Sequence, residues 1–477
     1  FLNSGQKYAD LEKLFPRIRE IPFSSETKMM TTVHRNGKNF IQVTKGAPDI
    51  LLSKCKQYYN GSITQSFGNN LRSKVLDVNS EMAKNALRVI AVTMKQLDSP
   101  QSILVDDLTF LGLIGIEDPI RPEAVKAVST CKNAGITPVM ITGDHALTAK
   151  ATAKKLGIYT EGFSVINGDE LERMSDEQLK EAVCSCSVFA RVTPEHKVKI
   201  VDAYKSNGEI VAMTGDGVND APALKRADIG CAMGKNGTEV AKNASDLVLA
   251  DDNFATIVNA VEIGRGLFDN IKKSVRFLLS SNIGEILLVF SAFLLGYSTP
   301  LLPIQLLWIN LVTDSLPAMA LGMERPEKDI MSRKPLAKDK GIITKTEGFD
   351  IAVEGMLFGA LSLFAFIFGT TRYSIDTGRT MAFCALSFLE IFHAFNVRST
   401  HSIFKISPVE NINLFFSTII CALLQISVVI IHPLIRIFNT VPLNLQQWLV
   451  VGFLCIPPII VSEAEKFLQN KKQLKKQ

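Results

Sequence analysis

The sequence predicts a two-part protein: an α/β soluble half built on a doubly wound parallel sheet, then an α-helical membrane half of six spans. Residues 1–270 mix charged and apolar residues in ordinary proportion, whereas 271–465 hold several apolar runs long enough to cross a bilayer. Between 113 and 250, short β-rich runs alternate with helical patterns. At 477 residues there is room for two or three domains. The 52 Lys and Arg exceed the 47 Asp and Glu by only five, and the surplus collects beside the apolar runs. That balance excludes nucleic acid as a partner and points to a lipid bilayer.

Residues 19–110 read as an α+β unit. REIPFSSETKMMTTVHR and KNFIQVTKG are expected to pair as strands, and a helix is expected through NSEMAKNALRVIAV, with a domain boundary near 112. Beyond it, TPVMI, SVFA and EIVAMT are strands, and EAVKAVSTCKNAG and KATAKKLGI are helices of a wound parallel sheet. Function belongs at the carboxyl ends of such strands. The expected domains are therefore 1–112, 113–253 and 254–477, the last opening with a basic helical stalk over 254–274. Six spans are expected at about 275–296, 301–321, 350–370, 380–396, 412–433 and 444–463. The loop after the second carries Arg325, Lys328, Arg333, Lys334, Lys338 and Lys340, and the tail Lys466, Lys471, Lys472, Lys475 and Lys476, which places both in the cytoplasm. Trp308 and Trp448 read as membrane packing or interface anchors.

Eight cysteines are scattered, three of them (Cys384, Cys421, Cys455) inside apolar runs, and Cys184 and Cys186 lack the CxxC spacing of a metal or redox site. The soluble half is expected to be cytosolic and reduced. The chain starts at Phe1 with no signal-peptide pattern, and an upstream segment is expected to be missing.

In TPVMITGDHALTAK a buried strand runs into a tight Thr142, Gly143, Asp144 turn and a helix, so a hydroxyl and fresh backbone N–H groups face the strand end, where phosphate fits. EIVAMTGDGVNDAPAL repeats the strand and turn and adds Asp216, Asn219 and Asp220 within one loop. Two carboxylates and an amide there suit magnesium, which keeps its remaining positions for water and phosphate. Between the copies, ARVTPEHKVKI ends a strand at Arg191 and presents Lys197, an ammonium able to neutralise a transferring phosphoryl group.

These strings resemble the carboxyl-terminal half of a P-type ATPase of the calcium-transporting (type IIA) class: TGDGVNDAPAL is highly specific, and KGAP, DPIRPEA and TGD precede it in the expected order. The resemblance covers essentially the whole chain. It implies part of a nucleotide-binding domain, a haloacid-dehalogenase-like phosphorylation domain and the last six membrane helices, with ATP and Mg2+ as cofactors and Ca2+ as transported ion. By resemblance, Phe23 stacks on adenine, Lys28, Lys45 and Gly46 line the nucleotide pocket, and Arg88 reaches the phosphates. Asp216 holds magnesium, Thr142, Gly143, Asp144 and Lys197 serve the phosphoryl group, Asn219 and Asp220 complete the loop, and Asp118 and Arg121 join the domain to its hinge.

In the membrane half, Asn282 and Glu285 are three apart on one helical face, and Asn310, Thr313 and Asp314 stand at i, i+3 and i+4, with Pro317 expected to disturb the helix just after them. A carboxylate at mid-bilayer costs about 2.5 to 3.5 kcal/mol on insertion scales, so Glu285 and Asp314 require a cation or proton there. Glu390 adds a third acid. Five or six oxygens with two or three carboxylates fit calcium better than magnesium. NIGE followed by WINLVTD is the calcium-pump pattern, which implies Asn282, Glu285, Asn310, Thr313, Asp314 and Glu390 as ligands; His393 reads as packing.

The family's phosphorylated Asp lies in a DKTGT motif that these 477 residues do not contain; Asp339 and Lys340 in KDKGIITK lack its Thr and Gly. The chain is expected to be inactive without its amino-terminal half. A truncated nucleotide- and magnesium-binding membrane protein, or a pump for manganese, protons or a monovalent cation, stay open as alternatives. The plasma membrane is the expected location.

Overall fold

In the computed structural model, which describes residues 8–24, 26–102, 106–117, 119–336, 341–399 and 401–474, the chain forms two units that part between Val258 and Asn259. The first unit begins with a seven-stranded sheet made by β1 (Arg17–Ser24), β2 (Met29–Asn36), β3 (Asn39–Gly46), β4 (Cys55–Tyr59), β5 (Thr64–Ser66), β6 (Arg88–Leu97) and β7 (Leu108–Ile116), in the order β1-β2-β3-β6-β7-β4-β5. β4 and β7 run parallel and every other pair antiparallel. The charged edge strand β1 stays exposed, while Leu51, Leu52, Cys55, Phe67, Ala91, Leu108 and Phe110 form the core beneath the sheet.

Two expectations change here. The helix expected through 79–92 spans Asn69–Lys84 and stops, and the chain reverses through Ala86 at φ 65° into β6. Val89, Ile90, Val92 and Thr93 are β-branched, and β6 is paired on both edges, by β3 and β7, where such side chains pack well. β7 also runs through the boundary expected near 112, with Gly112 opposite Val92, so the chain leaves this sheet only after Ile116.

The next segment winds helices around two short parallel sheets. β8 (Met140–Ile141), β10 (Cys186–Ala190) and β9 (Ser164–Asn167) form one, in the order β8-β10-β9, and β11 (Ala212–Gly215), β12 (Ile229–Met233) and β13 (Leu247–Leu249) the other. The expected strand TPVMI shrinks to two residues, whereas β9, β12 and β13 carry no strong alternation and were not foreseen. Among the described residues, β8 and β11, which both run into TGD turns, each have one paired edge and one open edge. Ile141 on β8 packs against the cores of both sheets.

The second unit is helical. Among the described residues, six helices are long and apolar enough to cross a membrane: Phe254–Leu294, Pro303–Gly322, Lys345–Arg372, Ile375–Val397, Ile412–Ile430 and Leu445–Phe467. The expected stalk and first span are one continuous helix of 41 residues. The fourth span is the most enclosed, packed by its neighbours on nearly every side.

Arg333 in the loop after the second span is bound by Asp269 at 2.8 Å, Glu327 at 2.5 Å and Asp329 at 2.8 Å. Lys338, Asp339, Lys340, Lys475 and Lys476 lie outside the described residues, as do the side chains of Lys471 and Lys472.

Candidate functional site

The strand register gathers the expected nucleotide residues at one end of the large sheet. Ser24 pairs with Met29, Met29 with Gly46, and Gly46 with Ala91, so Phe23, Lys28, Lys45 and Arg88 all sit at that end. Phe23 is 61% exposed, an uncovered aromatic ring at the same end of the sheet as three cations. Lys28 takes a left-handed turn at φ 54°, and its carbonyl accepts the Ala47 N–H at 3.2 Å. A Cβ on Gly46 would lie 2.6 Å from that carbonyl oxygen, so the turn closes only over glycine.

The two TGD turns differ. In the first, the Thr142 hydroxyl accepts the Asp144 N–H at 3.1 Å, and the Thr142 and Asp144 carbonyls accept the N–H groups of Val192 and Arg191. Thr142 and Asp144 are half-buried and Gly143 is exposed. In the second, Asp220 is buried and acts as a staple: Oδ2 accepts the N–H groups of Asp216 at 3.3 Å and Gly217 at 3.1 Å, and Oδ1 accepts the Lys197 ammonium. A Cβ on Gly215 would fall 2.4 Å from that of Asp220, so the staple needs glycine there. Asp216 and Asn219 stay exposed at the strand end. Lys197 and Asp220, expected to share the phosphoryl chemistry, are thus joined to each other, and Asp216 is the carboxylate facing outward.

Arg121 donates to the Asp252 carbonyl at 2.8 Å, and the Asp252 carboxylate accepts the Lys235 and Asn236 N–H groups at 2.9 Å each, which ties DPIR to the end of this segment. Asp118 lies outside the described residues. Sequence reading missed one contact: Arg191, at φ 52°, reaches Asp49 on the helix Pro48–Leu51 after KGAP, at 2.9 Å. Burial alone would raise the Asp49 carboxyl, but the bond and charge of Arg191 outweigh it and hold the group below the usual carboxylate range.

In the membrane unit both Glu285 oxygens accept the Asn310 amide at 3.0 Å, and Asn282 donates to the Leu278 carbonyl at 2.7 Å. Asp314 is 1% exposed and Glu390 fully buried, and all four of their carboxylate oxygens lack a hydrogen-bond partner among the described residues. Glu285, Asp314 and Glu390 are near enough to repel one another as carboxylates. The turn that carries Asn310, Thr313 and Asp314 is not the regular α spacing expected. Ile309–Asp314 is a π-helix, so the disturbance expected with Pro317 falls on the turn that carries these three residues. Pro317 has no N–H to offer the carbonyls four and five residues back, so the turns before it widen.

Among the described residues, the one set of three metal-type ligands within mutual reach is Glu327, Asp329 and His401, a loop group with Glu327 half-buried and the other two exposed, whose two acids Arg333 bridges. His393 packs between Phe277 and Phe358, with ring centroids 6.0 and 4.9 Å away. Trp308, read as membrane packing or an interface anchor, packs against the core of this unit and donates its indole N–H to Gln425 at 3.0 Å.

Three family descriptions match the chain: "P-type ATPase, cytoplasmic domain N" over residues 2–123, "haloacid dehalogenase-like hydrolase" over 197–261, and "Cation transporting ATPase, C-terminus" over 298–468. The chain is similar to calcium-transporting ATPase 1 of Bacillus cereus, 44% identical over 96% of this chain and 54% of that protein. The calcium-transporting ATPase of Bacillus subtilis is 45% identical over 97% of this chain and 53% of its own length. Calcium-transporting ATPase type 2C member 1 of Bos taurus is 36% identical over 97% and 48%. The chain spans about half the length of these relatives. With its haloacid-dehalogenase-like segment and six membrane-capable helices, it is an integral multi-pass membrane protein and belongs to the P-type ATPases.

Proposed function

We propose that the chain is the carboxyl-terminal half of an ATP-driven calcium pump of the plasma membrane, its first unit cytoplasmic. The observation that carries the reading is the set of four buried, partnerless carboxylate oxygens on Asp314 and Glu390. Acids sunk in a bilayer persist where a cation or proton neutralises them. Asp314, Glu390 and Glu285, with the oxygens of Asn282, Asn310 and Thr313, form a flexible all-oxygen donor set of the kind calcium takes.

The soluble unit supplies the drive. Phe23 would stack on the base of ATP, with Lys28, Lys45 and Arg88 meeting its phosphates over the Gly46 turn. Asp216 is the hard, exposed oxygen that would hold Mg2+, which when bound offsets charge on the transferring phosphoryl group. Lys197, fixed by Asp220, places a positive charge beside that loop, and the Thr142 hydroxyl is available to donate at the other turn. The phosphorylated Asp would come from the amino-terminal half, on a strand received by the open edges of β8 and β11.

The test uses the full-length pump. Asp314→Asn should abolish calcium-dependent phosphorylation from labelled ATP and calcium-45 retention. Unchanged calcium dependence in that variant would remove the site. Displacement of calcium-45 by an equal concentration of manganese would reassign the cargo while leaving the ligands in place.

A further inference from the structure

The second span is irregular where it carries the acid, and the fifth span touches it there. In a bilayer every backbone carbonyl must find its partner within the protein. Val312 stands five residues before Pro317, so the i→i+5 bond of a π turn is not available to its carbonyl. The Cys421 thiol, on the fifth span, donates to that carbonyl at 3.4 Å. Four residues along the same helical face, fully buried Gln425 accepts the indole N–H of Trp308, the residue just before the π turn. Phe438 meets the Trp308 ring edge-on at 4.9 Å, and the Gln425 amide lies 3.9 Å from the Cys384 sulfur of the fourth span. The turn satisfies two more carbonyls itself, with Thr313 Oγ1 on Ile309 and Ser315 Oγ on Asn310, both at 2.9 Å.

We propose that Gln425 and Cys421 are positioning residues for the cation site: they brace the π turn from the fifth span and set the height and rotation at which Asn310, Thr313 and Asp314 present their oxygens. The assignment rests on the reading of those three as cation ligands. The Gln425 oxygen is engaged by Trp308 and the Cys421 thiol faces a carbonyl, so the two act through geometry. A site whose supporting contacts loosen loses affinity first, because the ordering it had before binding must then be supplied on binding.

The experiment is a calcium titration of phosphorylation from ATP in the full-length pump, with calcium-45 binding in parallel. Losing one neutral hydrogen bond corresponds to about a three- to tenfold shift. Gln425→Leu and Trp308→Phe should each raise the half-saturating calcium concentration by about that factor, with phosphoenzyme at saturating calcium unchanged. The double variant should go no further than either single one, because the pair acts as a unit. Cys421→Ala should shift sensitivity by less, and Cys421→Ser, which keeps a donor, should restore it. Unchanged sensitivity in all variants would overturn the brace, as would lost maximal phosphoenzyme at unchanged sensitivity, the mark of plain structural damage. If the unaltered protein ignored calcium altogether, the cargo reading would fail first, and this assignment with it.

Discussion

Glu354 in the third span and Asp314 in the second are both buried acids of the membrane unit, 5% and 1% exposed. Their surroundings differ in kind. Glu354 takes a two-pronged bond from Arg276 at 2.5 and 3.1 Å and a third from the Ser280 hydroxyl at 2.9 Å, while Arg276 also reaches Glu465 of the sixth span at 3.2 Å. Asp314 and its neighbour Glu390 receive no hydrogen bond on their carboxylates among the described residues. An acid answered by a built-in guanidinium is part of the scaffold, whereas an acid left open in the same medium still calls for a cation or proton, which is the ground of the calcium reading proposed above.

Breaking the scaffold should have the largest effect. Arg276→Leu takes the guanidinium away from Glu354 and Glu465, and removing one partner of a buried pair costs about 3 to 5 kcal/mol. Thermal unfolding in detergent should show that loss with or without calcium. Asp314→Asn should behave the opposite way: stability without calcium equal to or above that of the parent, and no rise in unfolding temperature when calcium is added, because stabilisation by a ligand requires binding. Similar losses in both variants would erase the distinction between the clusters.

The soluble unit offers a smaller version of the same contrast at a single loop. Asp220→Asn removes the acceptor for Lys197 and weakens that for two N–H groups, a loss of about 1 to 3 kcal/mol in a buried setting. Asp216→Asn, on the exposed side, should alter stability by no more than about 0.5 kcal/mol. It should nevertheless block phosphoryl transfer while calcium-45 binding persists. Normal turnover in Asp216→Asn would withdraw its role with magnesium.

How far the sequence could be read depends on how local each feature is. Acids inside apolar runs stand out because they are costly there, so Glu285, Asp314 and Glu390 are visible without coordinates. The six spans follow from length and hydropathy. β6 reads as helix in the sequence because NSEMAKNAL carries a helical pattern up to the reversal at Ala86, and the β-branched run after it is short. The Arg276 cluster joins residues 78 and 189 positions apart, a distance over which no periodicity speaks. Gln425 and Cys421 look like stray polar residues in an apolar helix; only the widened turn opposite them gives them a purpose.

The smallest expected effect sharpens the contrast at the soluble end, where Asp49, Arg191 and His145 meet. Burial and then the Arg191 charge push the His145 imidazole below its ordinary value of about 6.5, and Asp49 opposes them. Between the lowered folded value and about 6.5 the unfolded chain binds more protons, so this histidine makes stability rise with pH across that window. Asp49 works lower on the scale: its contribution is present above the usual carboxylate range and is lost as pH falls through its lowered folded value. Asp49→Asn removes the charge that, among the described residues, favours the imidazolium, and leaves Arg191 in place. The His145 midpoint should therefore fall further, read as the pH dependence of its modification by diethyl pyrocarbonate followed by mass spectrometry. The pair is partly solvated, so the accompanying stability loss should stay under about 1 kcal/mol. A His145 midpoint that rose instead would mean that Arg191 leaves once Asp49 is neutral, and that the carboxylate is what holds the guanidinium at this turn.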